Sequence, residues 1–169
     1  QARAVAALKL RLNQYLAPCP RETRWGWKSP RSIWTLPVIE HTVPGFRFLH
    51  VVRDGRDMAF SSNINQFRKH SGALFGAPGR SAGEADGPAL ARLWSAVNGQ
   101  AADWAERHLG ERYLRVRLED LCADPHGTVE AIARWLALAP SREALDRAAG
   151  TVKSPSSLGR WREAPAPET

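Results

Sequence analysis

Apolar residues recur at helical spacing from the start of the chain. Val5, Leu8, Leu12, Tyr15 and Leu16 fall on one face of a helix over residues 1–16, which Pro18 and Pro20 stop. Residues 24–28 predict a short strand that ends in a turn at Ser29-Pro30. Helical spacing resumes over 32–41 through Ile33, Leu36 and Ile39, with Pro37 near the first turn, where proline is tolerated. Pro44-Gly45 marks a turn, and 46–53 is the strongest strand, apolar enough to be central in a sheet. Asp54 then suits the cap of a helix reaching about residue 69, with Phe60, Ile64 and Phe67 on one face.

Residues 71–87 are rich in Gly, Ala, Ser and Pro, and a connection of that length is usually functional or disordered. Pro88 opens a helix whose buried face carries Leu90, Leu93, Trp94, Val97, Ala101 and Trp104, and Gly110 ends it. Residues 112–118 alternate as a second strand does, and Glu119-Asp120 closes it. Asp124-Pro125 opens a helix with Val129, Ile132 and Leu136, and a short helix over 141–149 ends at Gly150. Strands alternate with helices, so the class is α/β with a parallel sheet flanked by helices.

The 169 residues suit one domain over 1–162, with 163–169 as a disordered Pro/Ala-rich tail. The chain begins with Gln1 inside a helical pattern, as an N-terminally truncated piece of a longer protein would. No run approaches the ~18 consecutive apolar residues of a membrane span, and a cytoplasmic location is expected. A net charge of +7 points to an anionic partner. The cations are dispersed and no nucleic-acid motif is present, so a small-molecule anion is expected and nucleic acid is not. Cys19 and Cys122 are unclustered, which argues for reduced structural thiols and gives no metal spacing.

The chemistry concentrates where the strand Phe46-Arg47-Phe48-Leu49-His50-Val51-Val52 runs into Arg53-Asp54-Gly55-Arg56-Asp57, with Ser61 following. The carboxyl end of a strand and the amino end of the next helix form the usual seat of anionic ligands in α/β proteins. Two further segments join it in order. One is Trp25-Gly26-Trp27-Lys28-Ser29-Pro30-Arg31. The other is Tyr113-Leu114-Arg115-Val116-Arg117-Leu118-Glu119-Asp120-Leu121 with Asp124-Pro125, ending in Ser157-Leu158-Gly159-Arg160-Trp161.

This order resembles the cytosolic-type and bacterial sulfotransferases, enzymes that use 3′-phosphoadenosine 5′-phosphosulfate as sulfuryl donor. The resemblance implies a sulfotransferase architecture related to the phosphate-loop NTPases, here without its first strand and phosphate loop. It also implies that Arg53 and Ser61 bind the 3′-phosphate of the donor, that Lys28 acts catalytically on the sulfate and its bridging oxygen, and that Arg160 reaches the cofactor's phosphate. No metal is implied, and the acceptor would be a small molecule, a glycan or a lipid. Glu119 and Asp120 would fix the loop after the strand, while Arg56 and Asp57 would serve the helix start.

Two departures accompany the match. No Gly/Ser/Thr-rich loop precedes Lys28, so the chain alone is expected to be inactive, and Pro30 stands where many members carry a catalytic histidine. His41 and His50 are the nearest histidines in sequence, and their positions suit structural roles. Blander readings remain open on the residues alone. They are an ion pair of Arg53 with Asp57 or Glu119, an ordinary helical serine at 61, a solvated Lys28 and a charged tail residue at 160. A nucleotide or nucleoside kinase of related fold is the second functional reading, although Lys28 and Ser61 lack counterpart roles there. A non-enzymatic basic module that binds anions such as sulfated glycans is the third.

Overall fold

The computed structural model describes residues 2–16, 24–61, 65 and 87–163. They fall into two compact units, Gln1–Phe48 with Gln100–Tyr113, and Leu49–Gly99 with Leu114–Thr169. In chain order the elements are α1 (Ala2–Leu16), a 3-10 turn (Pro30–Trp34), α2 (Leu36–Thr42), β1 (Phe48–Val52), α3 (Arg56–Ala59) and α4 (Gly87–Leu109). After them come a 3-10 turn (Gly110–Arg112), β2 (Tyr113–Arg117), α5 (Leu118–Ala123), α6 (Pro125–Trp135), α7 (Arg142–Gly150) and a last 3-10 turn (Arg160–Arg162). The strands β1 and β2 pair in a small parallel sheet, as the alternation of strands and helices predicts. No helix among the described residues is long and apolar enough to cross a membrane.

The first unit is organised by Leu36, Ile39, Phe48, Ala101, Ala105 and Leu109, with Ile33, Phe46, Trp104 and Tyr113 packed around them. Leu36 and Ile39 share one face of α2 by the i, i+3 rule, and Ala101, Ala105 and Leu109 form the facing i, i+4 stripe of α4. These residues share one apolar cluster, at whose edge the rings of Phe48 and Tyr113 stack at 5.7 Å. Gly110, with φ 53°, takes the left-handed conformation that ends α4, as its glycine predicts. The helix expected over 32–41 is instead a 3-10 turn followed by α2. Pro37 has no N–H to return to the carbonyl of Ile33, and its ring crowds that turn, so the ladder restarts at Leu36.

The strand expected over 24–28 does not form. Residues 24–29 are irregular and exposed. Trp25 and Trp27 stack on each other at 5.6 Å, and the Trp27 Nε1–H donates to Ser32 Oγ at 3.1 Å. The two indoles, spaced as alternate strand residues, find each other rather than a sheet face.

In the second unit Ala89, Leu90 and Leu93 of α4 form a small core with Val97 against them. His50 of β1 is buried and its Nε2 meets Asn98 Oδ1 at 3.1 Å. Asp124 caps α6 by accepting from the Gly127 N–H at 2.9 Å, and Ser141 caps α7 through the Ala144 N–H at 3.2 Å. Glu119 and Asp120 lie in the first turn of α5, a helix that the sequence pattern does not announce. The helix expected over 54–69 is interrupted: α3 ends at Ala59, and Ser61 lies after it rather than two turns inside a helix. The Phe60 carbonyl is taken by Arg160 Nη1 at 3.1 Å, and the Phe60 ring is exposed instead of joining a buried stripe. Among later residues only Asn65, which is helical, is described. Ile64, Phe67, the 71–86 connection, Cys19 and the tail from 164 lie outside the described residues.

Gly55 holds the turn after β1 for steric reasons. A Cβ built there would stand 2.5 Å from Trp94 Cε3, and the glycine needs no unusual φ. Gly55→Ala is therefore expected to destabilise the chain by about 1–3 kcal/mol. At Gly26 a Cβ meets nothing within 4 Å. Gly26→Ala should stay within about 0.5 kcal/mol. Denaturant unfolding of both variants checks the contrast, and equal midpoints would show that Trp94 yields without cost.

Candidate functional site

β1 ends one residue before Arg53, and the chain turns there through Asp54 and Gly55 into α3. Asp54 Oδ1 accepts the Arg56 N–H at 2.9 Å, which caps the turn, while the Asp54 N–H donates to Glu119 Oε1 at 2.8 Å. The turn is thus tied to the second residue after β2, and Glu119 fixes the strand end next to Arg53. One turn of helix places Asp57 four residues beyond Arg53. Arg53 Nε and Nη2 donate to Asp57 Oδ2 at 2.8 and 2.6 Å. Arg53 Nη1 donates to Ser157 Oγ at 3.0 Å, and Nη2 also donates to the Ser157 carbonyl.

The C-terminal loop completes the arrangement. Gly159, with φ 76°, takes a left-handed conformation that a side chain would strain. Its N–H donates to Asp57 Oδ2 at 3.0 Å, and the Trp161 N–H donates to Oδ1 at 3.4 Å. Arg160 lies between them, with Nε donating to the Ser157 carbonyl at 3.2 Å and Nη1 to the Phe60 carbonyl. Beside this network a cavity of about 220 Å³ is lined by Arg56, Arg117 and Arg162 together with Asp54, Glu119, Leu158, Gly159 and Trp161. The Arg56 guanidinium lies 3.6 Å from the Trp161 ring centroid, a cation–π contact.

The electrostatics follow from these contacts. Burial pushes the Asp57 carboxyl up, but the Arg53 guanidinium and the N–H groups of Gly159 and Trp161 outweigh it and hold it below the usual carboxylate range. The hydrogen bonds from Arg56 hold the Asp54 carboxyl low, against a smaller opposing effect of burial. Arg160 is half-buried and has no carboxylate partner among the described residues.

Of the residues singled out by the sequence, Arg53 and Arg160 meet on one carbonyl oxygen, that of Ser157. Ser61 directly follows Phe60, whose carbonyl Arg160 holds, and its N–H donates to Met58 O at 3.1 Å. Lys28 belongs to the other unit, exposed in the irregular segment before the 3-10 turn that Ser29 caps. The ion pair of Arg53 with Asp57, one of the plainer alternatives, is formed. It is not a surface pair, because Asp57 is only 1% exposed and Arg53 23%. Ser157 escapes sequence reasoning as a partner of Arg53, and Asp57 enters it only as a residue of the helix start and as one alternative ion-pair partner. The one available signal is the i, i+4 spacing of Arg53 and Asp57, which is common on solvated helices and so carries little weight. Cys122, half-buried on α5, is a free thiol, and the described residues include no cluster of three or more His, Cys, Asp or Glu able to hold a metal ion.

The model described as the sulfotransferase family fits residues 2–141, a span that contains Lys28, Arg53 and Ser61 and stops short of the Arg160 loop. No curated protein and no solved structure matches the chain.

The buried histidine of β1 gives this part of the fold a pH signature. Burial lowers the pKa of His50 below its ordinary value, the Asn98 hydrogen bond opposes the shift and Arg115 reinforces it. The unfolded chain takes up that proton near pH ~6.5 while the folded chain resists it, so stability is full above that pH and falls as acid is added. Equilibrium unfolding from pH 7 to 5 should show a smaller loss for His50→Gln than for the unmutated chain. Identical slopes would assign the acid sensitivity elsewhere.

Proposed function

The chain belongs to the sulfotransferase family, and from that premise we propose that it passes a sulfuryl group from 3′-phosphoadenosine 5′-phosphosulfate to an acceptor hydroxyl or amine. The observation that supports this reading best is the convergence of Arg53 and Arg160 on the Ser157 carbonyl, with Asp57 as the one carboxylate bonded to either guanidinium among the described residues. Only Arg53 bonds that carboxylate, so the second cation leaves a net positive charge that a phosphate would neutralise.

Four of the five Arg53 N–H groups are engaged inside the protein. Arg53 therefore supplies fixed charge and one remaining Nη1 hydrogen. Arg160 Nη2 has no partner among the described residues, and it takes the larger share of direct phosphate contact. In this reading the Ser61 hydroxyl adds a further hydrogen bond to the same phosphate.

The donor, when bound, supplies the transferable sulfuryl group and a phosphate leaving group. Transfer breaks the bond from sulfur to the bridging oxygen and forms one to the acceptor, whose proton passes to a base. Lys28 has the role that its place in the sequence suggests. Its ammonium stabilises the negative charge that grows on the bridging oxygen, charge present mainly in the transition state. A small alcohol, a glycan or a lipid suits the acceptor side.

Titration calorimetry with 3′-phosphoadenosine 5′-phosphate tests the donor assignment. Hydrogen bonds to charged groups contribute about 1.5–3 kcal/mol, so Arg53→Ala and Arg160→Ala should each weaken binding by about tenfold or more. Adenosine 5′-phosphate, which lacks the 3′-phosphate, should bind weakly and ignore both substitutions. Equal affinity of the unmutated chain and Arg53→Ala for the 3′-phosphorylated nucleotide would remove the central claim. Binding that is indifferent to the nucleotide and falls steeply with salt would mark simple charge attraction instead.

A further inference from the structure

Asp57 collects four donors from two parts of the chain about a hundred residues apart: Arg53 Nε and Nη2, the Gly159 N–H and the Trp161 N–H. It is the most enclosed charged side chain among the described residues. A carboxylate so removed from water persists as an anion only when hydrogen-bond donors and opposite charge replace its hydration, and these four donors do so.

The contacts also divide the carboxylate by oxygen. Oδ2 takes both Arg53 nitrogens and the Gly159 N–H, and Oδ1 takes the Trp161 N–H. The left-handed Gly159 followed by the 3-10 turn turns these backbone N–H groups towards one point, the kind of concavity that ordinarily receives an external anion. Here an internal carboxylate fills it.

Arg160 is the residue between the two that Asp57 anchors. We infer that Asp57 is a positioning residue for the anion clamp: its carboxylate fixes the Arg53 guanidinium and pins the backbone on both sides of Arg160, so that the two arginines are held on the Ser157 carbonyl together. The inference rests on the proposed donor binding only where nucleotide affinity is the readout.

Its geometry accounts for features that a helix-start role does not. An aspartate serving only α3 would bond N–H groups of its own first turn, whereas none of the four donors belongs to α3. Without the carboxylate, Arg53 loses its counter-ion, the N–H groups of Gly159 and Trp161 lose their acceptor, and the loop keeps its contacts through Ser157, the Arg160 side chain and the Trp161 ring.

The test combines Asp57→Asn, which is nearly isosteric, with Asp57→Ala, which leaves room for a small carboxylate. In Asp57→Asn, amide hydrogen exchange at Gly159 and Trp161 should accelerate at least about tenfold, and affinity for 3′-phosphoadenosine 5′-phosphate should fall by about tenfold or more. Affinity for adenosine 5′-phosphate should not change, a split that general loss of structure would not produce. Formate should restore protection and affinity in Asp57→Ala and leave the unmutated chain unaffected.

Retained protection in Asp57→Asn overturns the inference, whatever the affinity does. Lost protection with undiminished nucleotide affinity overturns it too, provided that Arg53→Ala weakens binding. If the unmutated chain binds no nucleotide, the proposed function fails, while exchange and its formate response still decide the positioning role. If Asp57→Asn does not fold, formate-dependent recovery of cooperative unfolding in Asp57→Ala supports the inference, and absence of recovery overturns it.

Discussion

The buried pair of Asp57 and Arg53 is the interaction on which the second unit's functional end depends. Withdrawing a carboxylate from water costs several kcal/mol unless opposite charge and hydrogen bonds replace the lost hydration. Asp57 meets that requirement with donors from the end of β1 and from the C-terminal loop. Each partner is thereby constrained. The strand must deliver Arg53 one turn before the carboxylate, and α3 must begin at once, which Asp54 and Glu119 arrange from either side. The loop must turn through a left-handed glycine to direct its N–H groups at the same point.

Other ion pairs in the chain contrast with it. Arg134 with Glu130, Arg142 with Asp146 and Arg147 with Glu143 are i, i+4 pairs on exposed helix faces. Such pairs contribute roughly 0.3–0.5 kcal/mol each and are screened by salt. They use up surface charge without directing it. The pair at Arg53 lies where solvent screening is weak, so its geometry decides where the neighbouring cation points.

The elements that local chemistry dictates were legible in the chain. Asp124 and Ser141 cap helices where their side chains suggest, Gly110 ends α4, and β1 and β2 fall within the apolar run 46–53 and the alternating run 112–118. Errors arose where side chains found partners that periodicity does not encode. Trp25 and Trp27 satisfy each other instead of a sheet, and the Phe60 carbonyl accepts from Arg160, a hundred residues away in the chain. At the site, Arg53 could be read as an anion ligand from its place at a strand end. The orientation of its guanidinium could not, because that depends on Ser157, which reaches it only through the fold, and on Asp57, whose carboxylate the N–H groups of Gly159 and Trp161 hold.

The same contacts explain why arginine is the residue suited to position 53. Its planar fork donates in three directions at once, to a carboxylate, a hydroxyl and a carbonyl, and a lysine ammonium, a point charge on a flexible stem, offers no such spread. With the fork engaged, its charge is fixed in place rather than free to follow a ligand. Arg160 then approaches the same carbonyl oxygen, and two guanidiniums that share one acceptor repel each other unless negative charge lies nearby. Asp57 supplies one such charge. The N–H groups of Gly159 and Trp161 donate to the same carboxylate, so the loop that carries Arg160 is tied to the charge that offsets the two guanidiniums.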